Sequence, residues 1–368
     1  MAMPSPQLPK PSRGWWASSR IVGIGSHLSL GLTTAPMLSS AHMRRAVVLA
    51  GLLVALATAA AAQSRPLAVR LAIHTSLMGA PDVIAVRQGY FKQEGLDVEW
   101  RRFALGKEGR DAMIAGAIDL NATAPTPFLI GLDKGVPYVA IGVNSLFCGS
   151  NHLVVLKSSD INTVAQLKGK RIGLPKGTIT EFIFVSKVAP AHGLKASDFQ
   201  IANIPDAKDR VPSMVAKAVD MAALGDPFVA IAEHEGLIRP LEDFCRYDVM
   251  PFMLTATNRI VQENPASVVA YLRGWLRAVR LLKEEPEKAA QVYLDDLKTL
   301  GREVPLSVLD RALRRMRWEP EITPTMDRYL VDMARDMLAA TSGDRIRAMP
   351  DLARGVNKDL LRKATASR

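Results

Sequence analysis

The stretch Arg171-Ile172-Gly173-Leu174-Pro175-Lys176-Gly177-Thr178-Ile179-Thr180-Glu181 runs from a short apolar strand through a glycine turn into a helix opening. Thr178 followed three residues later by Glu181 has capping-box spacing, which predicts a helix whose first amide N–H groups open onto the space beyond the turn. Open α/β sheets bind small molecules at such corners, outside the carboxyl ends of their strands. Free N–H groups and the helix dipole there favour a polar or anionic guest.

The construction recurs along the chain. Ala68–His74 predicts a strand feeding a helix opened by Pro81. Ile118–Ala122 feeds one opened by Pro127 with Thr126 as its cap, and Val219–Leu224 feeds one opened by Pro227 with Asp226 as its cap. Proline suits the first helical position because no intrahelical hydrogen bond needs its N–H. Ala104-Leu105-Gly106-Lys107 is a further turn, leading into a helix without proline. Five such turns exceed what one sheet switch point uses, and two facing sheets would employ them all.

With 368 residues, 48% hydrophobic and 23% charged, the chain has ordinary globular composition and length for two domains. Its formal charge of +11 includes Lys10, Arg13, Arg20, Arg44 and Arg45 ahead of residue 63, with no acid among them. The remaining charges of both signs are interspersed, as on a solvated surface, and do not form the basic stripe of a nucleic-acid binder. Met43-Arg44-Arg45, the uncharged run Ala46–Ala62 and the exit Ala60-Ala61-Ala62 describe a secretory signal peptide over 43–62, cut before Gln63. The run is short for a transmembrane span. Residues 1–42 are rich in Ser, Pro and Gly and read as a non-native or unstructured extension upstream of a mis-assigned start, or as a transit peptide. Cys148 and Cys245 lack metal-ligand spacing; in an oxidising compartment they are a disulfide or two separate buried thiols.

Taken in order, Val69–Ile73 alternates as a strand, and Val83–Phe91 reads as an amphipathic helix. Gly95 closes the following turn before a second strand. A helix over Lys107–Ala115, the strand at Ile118, a helix over Pro127–Lys134 and a strand over Tyr138–Val143 complete a first lobe.

Gln88-Gly89-Tyr90-Phe91-Lys92-Gln93-Glu94-Gly95-Leu96-Asp97-Val98-Glu99 resembles the G-x-F-x-x-E-G-L-x-V segment of periplasmic solute-binding proteins for aliphatic sulfonates, taurine, nitrate and thiamine pyrimidine precursors. Ala115–Leu120, Lys134–Pro137, Leu167–Gly173 and Asp226-Pro227-Phe228 match further landmarks of that group in the same order. The resemblance implies an α/β fold of the type II periplasmic binding kind, with two lobes and a ligand cleft between them. It places lobe one at 63–150 and 252–368 and lobe two at 151–251. His152–Lys157 would carry the chain across, Phe252–Asn258 would bring it back, and the helices Pro265–Lys283 and Pro286–Leu297 would cover lobe one.

His74, Thr75 and Ser76 stand where the resemblance puts ligand contacts; they can donate to an oxyanion, or serve as a polar turn that caps the next helix. Thr123 reads as a ligand contact, and Thr126 as a helix cap first. Across the cleft Gly177, Thr178 and Thr180 offer backbone and hydroxyl donors, with Lys176 adding a charge or lying solvated. Asp226 follows Leu224-Gly225 where many relatives carry tryptophan, which alters the cleft, and it reads as a helix cap before a ligand contact. The basic run Arg311, Arg314, Arg315, Arg317 reads as solvated surface.

The resemblance implies the substrate-binding component of an ABC importer. Such a component is exported to the periplasm and acts as a monomer without cofactor or nucleic acid. It hands a small-molecule solute to a membrane permease. Hinge closure on the ligand would do this without chemistry, and the standard motifs for phosphate-loop, hydrolase and metalloprotease catalysis are absent from the sequence. The competing reading is an enzyme on the same fold, resembling pyrimidine-precursor synthases, which use pyridoxal phosphate, or menaquinone-pathway enzymes.

Overall fold

The computed structural model describes residues 67–340 and 345–366. The signal-peptide and extension readings over 1–62 lie outside those residues.

Ten strands form two five-stranded sheets among the described residues. The first sheet contains β1 (Leu67–His74), β2 (Leu96–Phe103), β3 (Leu120–Thr123) and β4 (Tyr138–Leu146). The second contains β5 (Asn151–Leu156), β6 (Arg171–Leu174), β7 (Gln200–Asn203), β8 (Met221–Gly225) and β9 (Ile238–Asp243). The chain then returns to the first sheet as β10 (Pro251–Thr257). The orders are β2-β1-β3-β10-β4 and β7-β6-β8-β5-β9. β1 pairs parallel with β2 and β3, while β10 lies antiparallel between β3 and β4. β6 pairs parallel with β7 and β8, and β5 runs antiparallel between β8 and β9. Two crossovers therefore join two α/β lobes, one after β4 and one before β10.

The disulfide alternative holds: Cys148 and Cys245 are bonded, with Cα atoms 4.7 Å apart. Cys148 lies in the turn between β4 and β5, and Cys245 in the turn after β9, so the bond ties the two crossovers together.

The Pro265–Glu284 helix covers lobe one with Val268, Tyr271, Leu272 and Trp275 all buried, an apolar stripe at helical spacing. Gly274 permits its close approach, since a Cβ there would lie 2.6 Å from Phe91 Cδ1. No helix among the described residues is long and apolar enough to cross a membrane.

Three local expectations need correction. The helix expected over Val83–Phe91 breaks at Gly89, whose φ of 67° ends the Ala80–Arg87 helix and starts the short Tyr90–Gln93 helix. The helix expected to open at Pro127 opens at Pro125, behind Ala124 in extended backbone. Either proline fits a first turn, and extended backbone is what a residue before proline prefers. Thr126 is thus inside the first turn and caps nothing. The capping box at Thr178 is rearranged: Thr178 is the N-cap residue of the Ile179–Ile183 helix, but its hydroxyl donates to Pro175 O at 2.7 Å, and Glu181 Oε2 accepts from Gly177 N at 2.7 Å. Gly177, at φ 72°, presents its N–H to the glutamate in place of Thr178.

Candidate functional site

The strand ends of the two sheets face a shared cavity of about 740 Å³, open mouth included. All five turns expected from the sequence line it: His74 to Met78 after β1, Ala104 to Lys107 after β2, Thr123 to Pro127 after β3, Pro175 to Thr180 after β6, and Gly225 to Phe228 after β8. A sixth, after β7, contributes Pro205, Ala207 and Arg210 and was missed. Ser150, Asn151, Phe147 and Phe252 come from the crossovers and their flanking strands.

Of the sequence-predicted site residues, His74, Thr75, Ser76, Thr123, Thr178, Thr180 and Asp226 line the cavity. Lys176, Gly177 and Thr126 do not. Lys176 and Gly177 spend their backbone N–H groups on Asn203 Oδ1 and Glu181 Oε2. Thr126 is fully buried in its helix turn, and its hydroxyl has no partner.

His74 ends β1, and its Nδ1 accepts from Ser76 N at 3.1 Å, with Ser76 Oγ at 2.8 Å. A backbone N–H can only donate, so Nδ1 is unprotonated and a neutral ring carries its hydrogen on Nε2. Burial, aided by the nearby Arg210 charge, pushes the His74 pKa down to about 4, so the ring is neutral at pH 7. The Thr123 hydroxyl is buried at the end of β3 without a partner. Gly106 lets the Gly106–Ile114 helix begin directly against that strand, for a Cβ there would lie 2.8 Å from Thr123 Cα. The first turn of this helix therefore borders the cavity with amides that have no carbonyl four residues earlier in the helix. At the rim, Lys107 Nζ donates to the carbonyl of Lys176 in the opposite lobe.

Arg210 is the residue whose role the sequence concealed. It is 5% exposed, and its guanidinium donates to Ile204 O at 2.9 Å, Ala223 O at 2.9 Å and Pro205 O at 2.8 Å. Burial lowers its pKa to about 10, while Asp206 and Asp209 act to raise it; it remains a cation at pH 7. Among the described residues no carboxylate forms an ion pair with it. These three bonds use three of the five guanidinium hydrogens. Nothing in the local pattern Asp209-Arg210-Val211-Pro212 distinguishes it from a surface arginine, because its partners come from three separate backbone positions.

Asp226 is almost wholly buried, and burial raises its pKa to about 6 against the pull of Arg315. The helix expected to open at Pro227 behind an Asp226 cap begins one residue later, at Phe228 with Pro227 in the N-cap position, and Asp226 Oδ1, from just ahead of that position, accepts from the third helical amide, Ala230 N, at 3.0 Å. Arg315 corrects the reading of the late basic run as wholly solvated: it reaches Asp226 Oδ2 at 3.4 Å and Glu233 at 3.6 Å. Its neighbours Arg314 and Arg317 pair locally, with Asp310 and Glu319.

Two open α/β sheets joined by two crossovers, with strand-end turns of both meeting over one cavity, define a two-lobed solute-binding fold. The chain belongs to the NMT1/THI5 like family, whose model matches residues 78–289. It is 26% identical to a putative aliphatic sulfonates-binding protein of Escherichia coli (strain K12), over 71% of this chain and 80% of that one. It is 24% identical to the 4-amino-5-hydroxymethyl-2-methylpyrimidine phosphate synthase of Aspergillus parasiticus, over 65% of this chain and 73% of that one. The alkanesulfonate-binding protein from Xanthomonas axonopodis pv. citri bound to MOPS has the same fold. Its TM-score is 0.69 at 19% identity, over 80% of this chain and 99% of that chain.

Proposed function

We propose that this chain is the substrate-binding component of an ABC importer, which captures a small organic or oxoanionic solute between its lobes and delivers it to a membrane permease. The observation that carries this reading is Arg210, a buried cation on the cleft wall with carbonyl partners alone. Asp206 and Asp209 offset this charge only from a distance; a buried charge without a direct ion-pair partner is costly, and an anionic guest supplies one. The neutral His74 Nε2–H and the partnerless Thr123 hydroxyl add donors from the opposite lobe. Residues 63–150 with 252–368, and 151–251, act as the two lobes that close on the solute, as a monomer in the periplasm after removal of 43–62. His74, Thr75, Ser76, Thr123, Thr180 and Asp226 line its site.

The enzyme reading draws support from the pyrimidine synthase relative and from the Ser76 hydroxyl beside His74. A histidine with a pKa near 4 is a poor base at neutral pH, which favours binding over catalysis.

The test is the melting temperature of the purified protein with sulfonates, taurine, nitrate, carboxylates, thiamine pyrimidines and pyridoxal phosphate. A ligand at ~100 times its Kd stabilises the native state by about 2.7 kcal/mol. Stabilisation by an anionic solute is the expected result; stabilisation by pyridoxal phosphate alone would favour the enzyme.

A further inference from the structure

Much of the cleft lining is apolar: Met78, Phe147 and Phe252 line it from one lobe, and Pro175, Ile179 and Phe228 from the other. Phe252 stands edge-on to His74, with centroids 5.4 Å apart and planes at 89°, and to Phe147 at 5.7 Å and 85°. Rings set at right angles make a corner in which a flat aromatic guest meets one ring face-on and another by its edge, the arrangement aromatic pairs prefer. An inorganic oxoanion would leave these walls against water, and apolar contact area is what a pocket of this kind rewards.

The charged groups narrow the choice further. Both oxygens of Asp226 are engaged, by Ala230 N and Arg315, and Asp226 is the only acidic residue lining the cavity among the described residues. Lys107 is engaged at the rim with the Lys176 carbonyl. No carboxylate of the lining is therefore left to receive an ammonium group, whereas Arg210, bonded only to carbonyls, has no anionic partner.

We propose that the solute is an aryl oxoanion, an aromatic ring bearing one sulfonate or carboxylate and no amine, with its anionic group at Arg210 and its ring in the Phe147–Phe252 corner. This inference rests on the anion-capturing reading of the cleft and specifies its substrate class.

Titration calorimetry of the full chain tests it with benzenesulfonate and benzoate against methanesulfonate, acetate, nitrate and taurine. Each aryl anion is expected to bind about 30-fold or more tightly than the methyl compound with the same head group. Phe252→Leu is expected to shrink that ratio below about tenfold, and an unchanged ratio in the folded variant would remove the ring from that corner. Nitrate, taurine or methanesulfonate binding as tightly as benzenesulfonate would overturn the aryl inference and leave anion capture standing. Failure of every anion to bind would overturn both.

Discussion

Arg315 Nη1 stands 3.4 Å from Asp226 Oδ2, so a cation at the end of the Leu306–Arg314 helix neutralises a carboxyl on the cleft wall. Burial holds the folded pKa of Asp226 at about 6, above its unfolded value of about 3.9. The native state then keeps a proton that the unfolded state has lost, and this group's contribution falls as pH rises from about 4 to 6. Removing Arg315 extends that window upward. Arg315→Met is expected to cost about 1–3 kcal/mol at pH 8, the cost of breaking a buried pair discounted for the partial exposure of Arg315, and clearly less at pH 5. Urea melts at the two pH values measure this, and an equal loss at both would refute it.

Asp82 tests the same physics in the core of lobe one. Its Oδ1 accepts from Tyr271 OH at 2.8 Å; burial raises its pKa to about 7 while that hydrogen bond pulls it down. Native stability from this group declines as pH rises from about 4 to about 7. Asp82→Asn retains an acceptor for the tyrosine and removes the charge. It is expected to stabilise the protein by about 1–4 kcal/mol at pH 8 and by almost nothing near pH 4. The difference in melting temperature across that range reads it out; a pH-independent difference would contradict the assignment.

The Cys148–Cys245 bond closes a sequence separation of 97 residues and joins both crossovers. In the chain-entropy account a loop of this length contributes about 4–5 kcal/mol. Cys148→Ser with Cys245→Ser is expected to lower stability by about 2–5 kcal/mol in denaturant melts. Unchanged stability of the double variant would show that the crossovers hold without the bond.

Thr178 and Thr180 separate a structural hydroxyl from an available one. The Thr178 hydroxyl is spent on Pro175 O, whereas Thr180 lines the cleft at 7% exposure. Thr180→Val is expected to weaken solute binding by about 3- to 10-fold, the worth of one hydrogen bond, and Thr178→Val by less. The reverse ranking in a binding titration would relocate the donor.

Much of this fold is legible in the sequence because local rules decide it. Gly95 turns the chain into β2, proline opens the long Pro265–Glu284 and Pro286–Thr299 helices, and the stripe Val268, Tyr271, Leu272, Trp275 marks a buried face. All five predicted strand-to-helix turns reach the cavity for the same reason. The choice between Pro125 and Pro127 was not legible, since both satisfy the same positional rule. Arg210 and Arg315 were hidden for a different reason: each is held in part from another segment, Arg210 by Ala223 O thirteen residues away beside the nearer Ile204 and Pro205 carbonyls, and Arg315 by Asp226 eighty-nine away. Sequence pattern locates turns, while the charge environment of a side chain is set only when distant backbone converges on it.

The most direct test of the central claim is a calorimetric titration of sulfonates into the wild-type protein and Arg210→Gln, with circular dichroism confirming that the variant is folded. Charge-assisted hydrogen bonds contribute about 1.5–3 kcal/mol, so the variant is expected to bind about 10- to 150-fold more weakly, with Arg210→Lys in between. A folded Arg210→Gln that binds the same sulfonate with wild-type affinity would contradict the account.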